Sequence, residues 1–206
     1  MDEQRQRQTA LSRCQNVPML LVIVGSTRPV RIGDQLAEHV VPILEAASGL
    51  AGNVVDLREL ALPFLDEPRQ PSDGNYVHAH TRAWSEMVKS SDAVVVITPQ
   101  YNGGYPASVK NAIDFLYEEW HDKPFLVISY GSRGGPRSNA QLTDVLHYIH
   151  ANPVEGGVRI VIPGNDYGPD DRLQHPADHV DAVRDEIIAA TKELMVKISN
   201  DKVALP

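Results

Sequence analysis

Met19-Leu-Leu-Val-Ile-Val-Gly-Ser-Thr-Arg-Pro-Val-Arg-Ile-Gly33 joins a wholly apolar run to a short loop that opens into a helix-spaced pattern. Six successive apolar residues closed by glycine read as a strand covered on both faces, because a strand with one wet face would alternate. Beyond the loop, Ile32, Leu36, Val40, Ile43, Leu44 and Ala47 recur at helical spacing, with Gly49 placed to cap. Strand, loop and helix in that order make the first half of a parallel crossover unit.

The scheme repeats along the chain. Residues 53–57 read as a second strand, 60–73 as a proline-rich connection and 76–89 as a helix carrying Trp84, Met87 and Val88. Buried strands are predicted at 93–97, 124–129 and 157–162, helices at 107–119 and 139–150, and one long closing helix at 176–199. Buried strands alternating with helices through short loops define an α/β doubly wound sheet with helices on both faces. Five strands suggest the flavodoxin-like parallel order 2-1-3-4-5, whose switch point lies between the first and third strands. The expected organisation is one domain over residues 18–200, with tails at 1–17 and 201–206; the first tail is rich in Gln and Arg and lacks apolar periodicity.

The 206 residues, 42% hydrophobic, suffice for one well-buried core. A formal net charge of −8 argues against a general nucleic-acid or anionic-membrane surface, so any anionic ligand must be held by local arginines. Cys14 is the only cysteine, which excludes an internal disulfide and a thiolate metal cluster and fits a reducing, cytoplasmic setting. No apolar run approaches the roughly 20 residues that cross a bilayer, so no membrane partner is expected.

Three loops follow predicted strands, where open sheets bind ligands. In the first, Ser26, Thr27 and Arg28 offer hydroxyls and a planar cation at a helix amino terminus, and Gly33 permits close backbone approach, which together suit a phosphate. The spacing is neither the dinucleotide fingerprint nor the P-loop; Ser26 as a helix cap with solvated arginines is the alternative. In the second, Pro99-Gln-Tyr-Asn-Gly103 sets the amides of Gln100 and Asn102 among stiffening prolines and suits a planar heterocycle. Lys110, Asn111 and Asp114 just beyond it read as residues that hold the loop or a neighbouring subunit, and of Tyr101 and Tyr105 at least one reads as a packing residue. The third, Tyr130-Gly-Ser-Arg-Gly-Gly135, has three glycines in six positions, allowing backbone to touch a ligand, with Tyr130 able to stack beside a ring.

Together these three motifs resemble the NAD(P)H-dependent FMN reductase family over residues 19–146, the second being the most specific. The resemblance implies a flavodoxin-like fold that binds FMN and takes NADPH or NADH as co-substrate, passing hydride to FMN and on to a quinone, flavin or similar small acceptor. It implies Ser26 and Arg28 as phosphate ligands with Ile32 and Gly33 closing the cradle, and Arg31 at a position where members often carry serine. Pro99, Gln100, Tyr101, Asn102 and Gly103 would line the isoalloxazine, with Gln100 where many relatives have glutamate. Tyr130, Gly131, Ser132, Gly134 and Gly135 would lie by the pyrimidine side, Tyr130 replacing a smaller residue. The flavin would supply the chemistry, so no side chain is named as an obligatory acid or base. Arg133 or Arg137 could meet the phosphates of the nicotinamide nucleotide. A homodimer or homotetramer is implied, with the 107–119 helix as a candidate interface.

Two rival classes fit parts of this pattern. A non-enzymatic electron carrier shares fold and cofactor but does not consume NAD(P)H. A phosphatase needs an arginine six residues after its cysteine, and Leu20 stands six after Cys14. The histidine pairs His78/His80, His147/His150 and His175/His179 lack the cysteine or carboxylate spacing of a metal site, so no metal is expected.

Overall fold

A computed structural model describes residues 18–204; the expected amino-terminal tail, with Cys14, lies outside them. Strand β1 (Met19–Val24) leads to helix α1 (Gly33–Ser48), strand β2 (Ala51–Asp56) and a short helix α2 (Leu57–Leu60). Helix α3 (Ala79–Lys89) precedes β3 (Ala93–Pro99), α4 (Ala107–Asp114) and β4 (Pro124–Gly131). Helix α5 (Pro136–Tyr148), the short strands β5 (Asn152–Pro153) and β6 (Val158–Val161), and helices α6 (Pro176–Asp181) and α7 (Arg184–Ala204) complete the fold.

The strands form a parallel sheet in the expected order β2-β1-β3-β4-β5, with β6 also paired to β4. Strand β1 lies between β2 and β3, Val22 standing opposite Val54 on one side and Val95 on the other. Period-two alternation divides its side chains between two cores. Leu20, Val22 and Val24 meet Leu36, Val40 and Leu44 of α1 and Leu194 of α7, whereas Leu21 and Ile23 meet Trp84, Trp120 and Phe125. Burial on both faces explains why β1, β3 and β4 are near-continuous apolar runs.

Several boundaries depart from the expectation: β2, α3 and α5 by up to three residues at an end, and others more widely. The fifth column of the sheet is split: β5 and β6 pair with opposite ends of β4, and Gly156 and Gly157, both at positive φ, carry the chain between them. A Cβ on Gly157 would come within 2.3 Å of the Val127 carbonyl oxygen, so the interruption is built into the packing. The expected 107–119 helix stops at Asp114 and resumes as a single 3-10 turn, Glu118–Trp120. The closing helix is two helices that meet at Ala182–Val183. Its second part runs to Ala204 rather than ending at 199, because no glycine or proline intervenes before Pro206 to break the helical hydrogen-bond series. No helix among the described residues is long and apolar enough to cross a membrane.

Candidate functional site

The loops after β1, β3 and β4 converge on one cleft of about 380 Å³, within the range of small-molecule sites. Its walls include Ser26, Arg28, Arg31 and Ile32 from the first loop, Pro99, Gln100 and Tyr101 from the second, and Tyr130 and Gly131 from the third. Hydroxyl tethers hold the loops in place. Ser108 Oγ donates to the Gly25 carbonyl at 2.6 Å, Ser138 Oγ to the Pro99 carbonyl at 2.8 Å and Ser129 Oγ to the Gly134 carbonyl at 2.7 Å.

One end of the cleft is made by the start of α1. Ile32 at its N-cap position makes no side-chain cap, and the first helical bond is from the Leu36 N–H to the Ile32 carbonyl, so the first N–H groups of the helix remain available. The backbone of Gly33 passes so close to the Tyr130 phenol that a Cβ there would lie 2.7 Å from its oxygen. Arg28 is exposed and makes no hydrogen bond or ion pair among the described residues. Arg31 does something different: its guanidinium bonds the Asp56 carboxylate at the end of β2, while its Nε is buried on the cleft wall with no partner. A buried orphan donor beside an uncapped helix start and a free arginine is a donor set that fits an anion.

Gln100 serves two loops. Its Oε1 accepts from the Arg137 N–H at 2.9 Å and, more weakly, from the Ser138 N–H at 3.4 Å, capping α5. With the oxygen so engaged, the amide nitrogen is the end left for the cleft, and a glutamate here would have no such donor. Asn102 and Gly103 form the tip of a tight turn closed by Tyr101 and Gly104, both tip residues at positive φ. They stand at the rim and not on the cleft wall, as do Ser132, Gly134 and Gly135; Gly135 at φ 66° starts α5, where its Cα hydrogen faces the Tyr130 carbonyl. Asn111 holds not the second loop but the segment after α2: its amide donates to the Pro63 carbonyl and accepts from the Leu65 N–H. Lys110 pairs with Asp114, and Tyr105 packs against the second core.

Sequence reading missed Val30, Tyr167 and Asp171, which also line the cleft. The last two belong to a strap, residues 164–175, that crosses to the start of α1. Arg172 donates to the Arg31 carbonyl and to Asp34, each at 2.9 Å, and Gln35 exchanges two bonds with the backbone of Leu173. Partners some 140 positions apart leave no periodic signal. The strap's base is a clasp in which His175 Nδ1 and His179 Nε2 each lie 2.7 Å from a different oxygen of Asp166. These hydrogen bonds hold the Asp166 carboxyl down at about 2, and the same contact raises His175. His175 therefore stabilises the strap fully below its ordinary value and loses that contribution as pH rises through its raised one, whereas Asp166 contributes down to about pH 2. Exchange protection of the Gln174 N–H, which bonds the Asp166 carbonyl, is expected to fall between mildly acidic and alkaline pH. Asp166→Asn should flatten that profile; an unchanged profile would count against the clasp. The other histidine pairs take carboxylate partners singly, as in His80 with Asp66 and His147 with Glu155, and among the described residues no group of three or more His, Cys, Asp or Glu side chains is placed to hold a metal ion.

A parallel sheet in the order 2-1-3-4-5, with the loops after β1, β3 and β4 around one cleft, defines a flavodoxin-like α/β protein. Residues 18–166 match the family model of NADPH-dependent FMN reductases, and the chain belongs to that family. It is 44% identical over 153 residues to an NAD(P)H-dependent FMN reductase of Saccharomyces cerevisiae, covering 69% of this chain and 80% of that one. It is 28% identical over 138 residues to a quinone reductase of Escherichia coli, covering 64% and 71%. Among solved structures, the flavoenzyme NAD(P)H:(acceptor) oxidoreductase FerB of Paracoccus denitrificans superposes with a TM-score of 0.59 at 23% identity, over 86% of this chain and 98% of that one. The strap from Tyr167 onward lies outside the family match.

Proposed function

We propose that the protein is an NAD(P)H-dependent FMN reductase that passes reducing equivalents to a quinone, flavin or similar small acceptor. The observation that carries the reading is the phosphate end of the cleft: the uncapped α1 start, the unpartnered Arg31 Nε and the free Arg28 stand together beside a ring-sized opening. When bound, FMN supplies the two-electron chemistry between nicotinamide and acceptor. The chain's residues do the rest. Ser26, Arg28, Arg31, Ile32 and Gly33 would hold the phosphate. Pro99, Gln100, Tyr101, Asn102 and Gly103 would border the ring, the Gln100 amide nitrogen serving as a neutral donor toward it, and the turn Gly131, Ser132, Gly134, Gly135 would admit its far edge. The names of the yeast and Escherichia coli relatives support both the nucleotide donor and the quinone-type acceptor.

The reading includes a cytoplasmic setting, a single domain and a homodimer or homotetramer. Phe64, 84% exposed, and Leu65 present an apolar surface on the segment that Asn111 ties to α4, which supports self-association on that side. A monomer in sedimentation of the holoprotein would remove that part.

The deciding experiment is the visible spectrum of protein reconstituted with FMN, followed by NADPH or NADH without oxygen, then a quinone. Bleaching of bound flavin on reduction and its return with quinone, through many turnovers, are expected. Bound flavin that no nicotinamide nucleotide reduces would instead favour the electron carrier, and protein that takes up no FMN would refute the cofactor.

A further inference from the structure

The reading of Tyr130 as a ring-stacking residue leaves its hydroxyl without a task, and the structure supplies one. The residue is only 4% exposed, and its ring belongs to the core with Val24, Ile32, Ile128 and Ile160, so no open ring face remains for stacking. Its oxygen lies directly beneath Gly33, at the first residue of α1, where a Cβ would approach to 2.7 Å. Ser26, wholly buried, shares a 2.6 Å hydrogen bond with the Tyr101 hydroxyl and lies close to the Tyr130 phenol. Three hydroxyls, one from each ligand loop, thus meet under the anion cradle.

We propose that the Tyr130 phenol is a positioning residue for the flavin phosphate, setting Ser26 and the Gly33 backbone from below, so that it tunes the affinity for phosphorylated flavin specifically. Ser26 has one proton to donate and two lone pairs to share. The Tyr101 phenol limits how that hydroxyl can turn, the Tyr130 phenol bounds the Gly33 backbone beside it, and groups already set toward the cradle bind an anion with less ordering cost. Tyr130 also reaches, from β4 two strands across the sheet from β1, the floor of the cradle in a chain whose Arg31 is drawn away to Asp56. The buried ring keeps the phenol neutral, since burial pushes its titration well above the ordinary tyrosine value.

This inference rests on the FMN reading, and the test separates the two. Dissociation constants for FMN and for riboflavin, which lacks the phosphate, are measured on the wild type and on Tyr130→Phe, which keeps the ring and its packing. Loss of one hydrogen-bonding hydroxyl acting on an anion site should weaken FMN about fivefold to tenfold, and leave riboflavin unchanged. A double variant with Ser26→Ala should show less than the product of the two single losses, because both act through one hydroxyl. Equal losses for FMN and riboflavin would place Tyr130 at the ring, and no loss for either would make its hydroxyl idle; each result overturns the proposal. Failure of the wild type to bind FMN at all would instead remove the functional reading beneath it.

Discussion

Replacing Arg28 with alanine is expected to weaken FMN by roughly 10- to 100-fold, the effect of losing about 1.5–3 kcal/mol of charge-assisted hydrogen bonding. The size follows from what Arg28 lacks in the structure. Arg31, its neighbour in the cradle, is already neutralised by Asp56, and Arg172 by Asp34, so Arg28 is the first-loop cation with its charge uncommitted. A carboxylate, Asp171, also lines the cleft, and without Arg28 the local field would turn against a phosphate dianion. Arg28→Lys should recover part of the loss, since a point charge replaces a planar fork. Titration of FMN fluorescence at two salt concentrations reads the result: the wild type should weaken with salt and Arg28→Ala should do so less. Equal affinities for wild type and Arg28→Ala would place the phosphate elsewhere.

The largest stability effect is expected at Trp84→Ala, about 3–5 kcal/mol. Trp84 is fully buried and lies edge-on to Trp120 with ring centroids 6.1 Å apart. Its Nε1–H donates to the Ala112 carbonyl at 2.8 Å, and that of Trp120 to the Ile113 carbonyl at 3.0 Å. The Trp84 indole thus satisfies a carbonyl at the end of α4 where the helical series has run out of donors, whereas the Ile113 carbonyl also accepts from the Leu116 N–H. Truncation leaves a cavity and an orphaned carbonyl together. In a chain of this size the midpoint of thermal unfolding should fall by about 6–20 °C. Helix α4 follows the second ligand loop directly and Ser108 in its first turn holds Gly25, so the remaining folded protein should also bind flavin less tightly. A midpoint within a degree of the wild type would show that the α4 anchor lies elsewhere.

Much of the fold was legible in the sequence because burial on both faces of a parallel sheet writes itself as unbroken apolar runs, and β1, β3 and β4 are such runs. The edge of the sheet was less legible. Strand β6 alternates buried and exposed residues over only four positions, and the two-residue β5 has no period at all. Helix ends set by tertiary partners were likewise unreadable: α4 stops where indoles of distant residues take its carbonyls, and α3 begins where Glu67 accepts from the Val77 and His78 N–H groups.

The site divides in the same way. The sequence by itself determined the sheet order, the three ligand loops and the chemistry they could offer, because glycine, proline and amide side chains next to a buried strand carry their meaning locally. Only the tertiary structure decided how those side chains are spent: Arg31 on Asp56, the Gln100 oxygen on α5, the Tyr130 phenol beneath Gly33, and the strap of Tyr167 and Asp171 on the cleft wall. Each of these depends on a partner 25 to some 140 positions away, and a charge or hydroxyl reports nothing of its partner until packing brings the two within hydrogen-bonding distance.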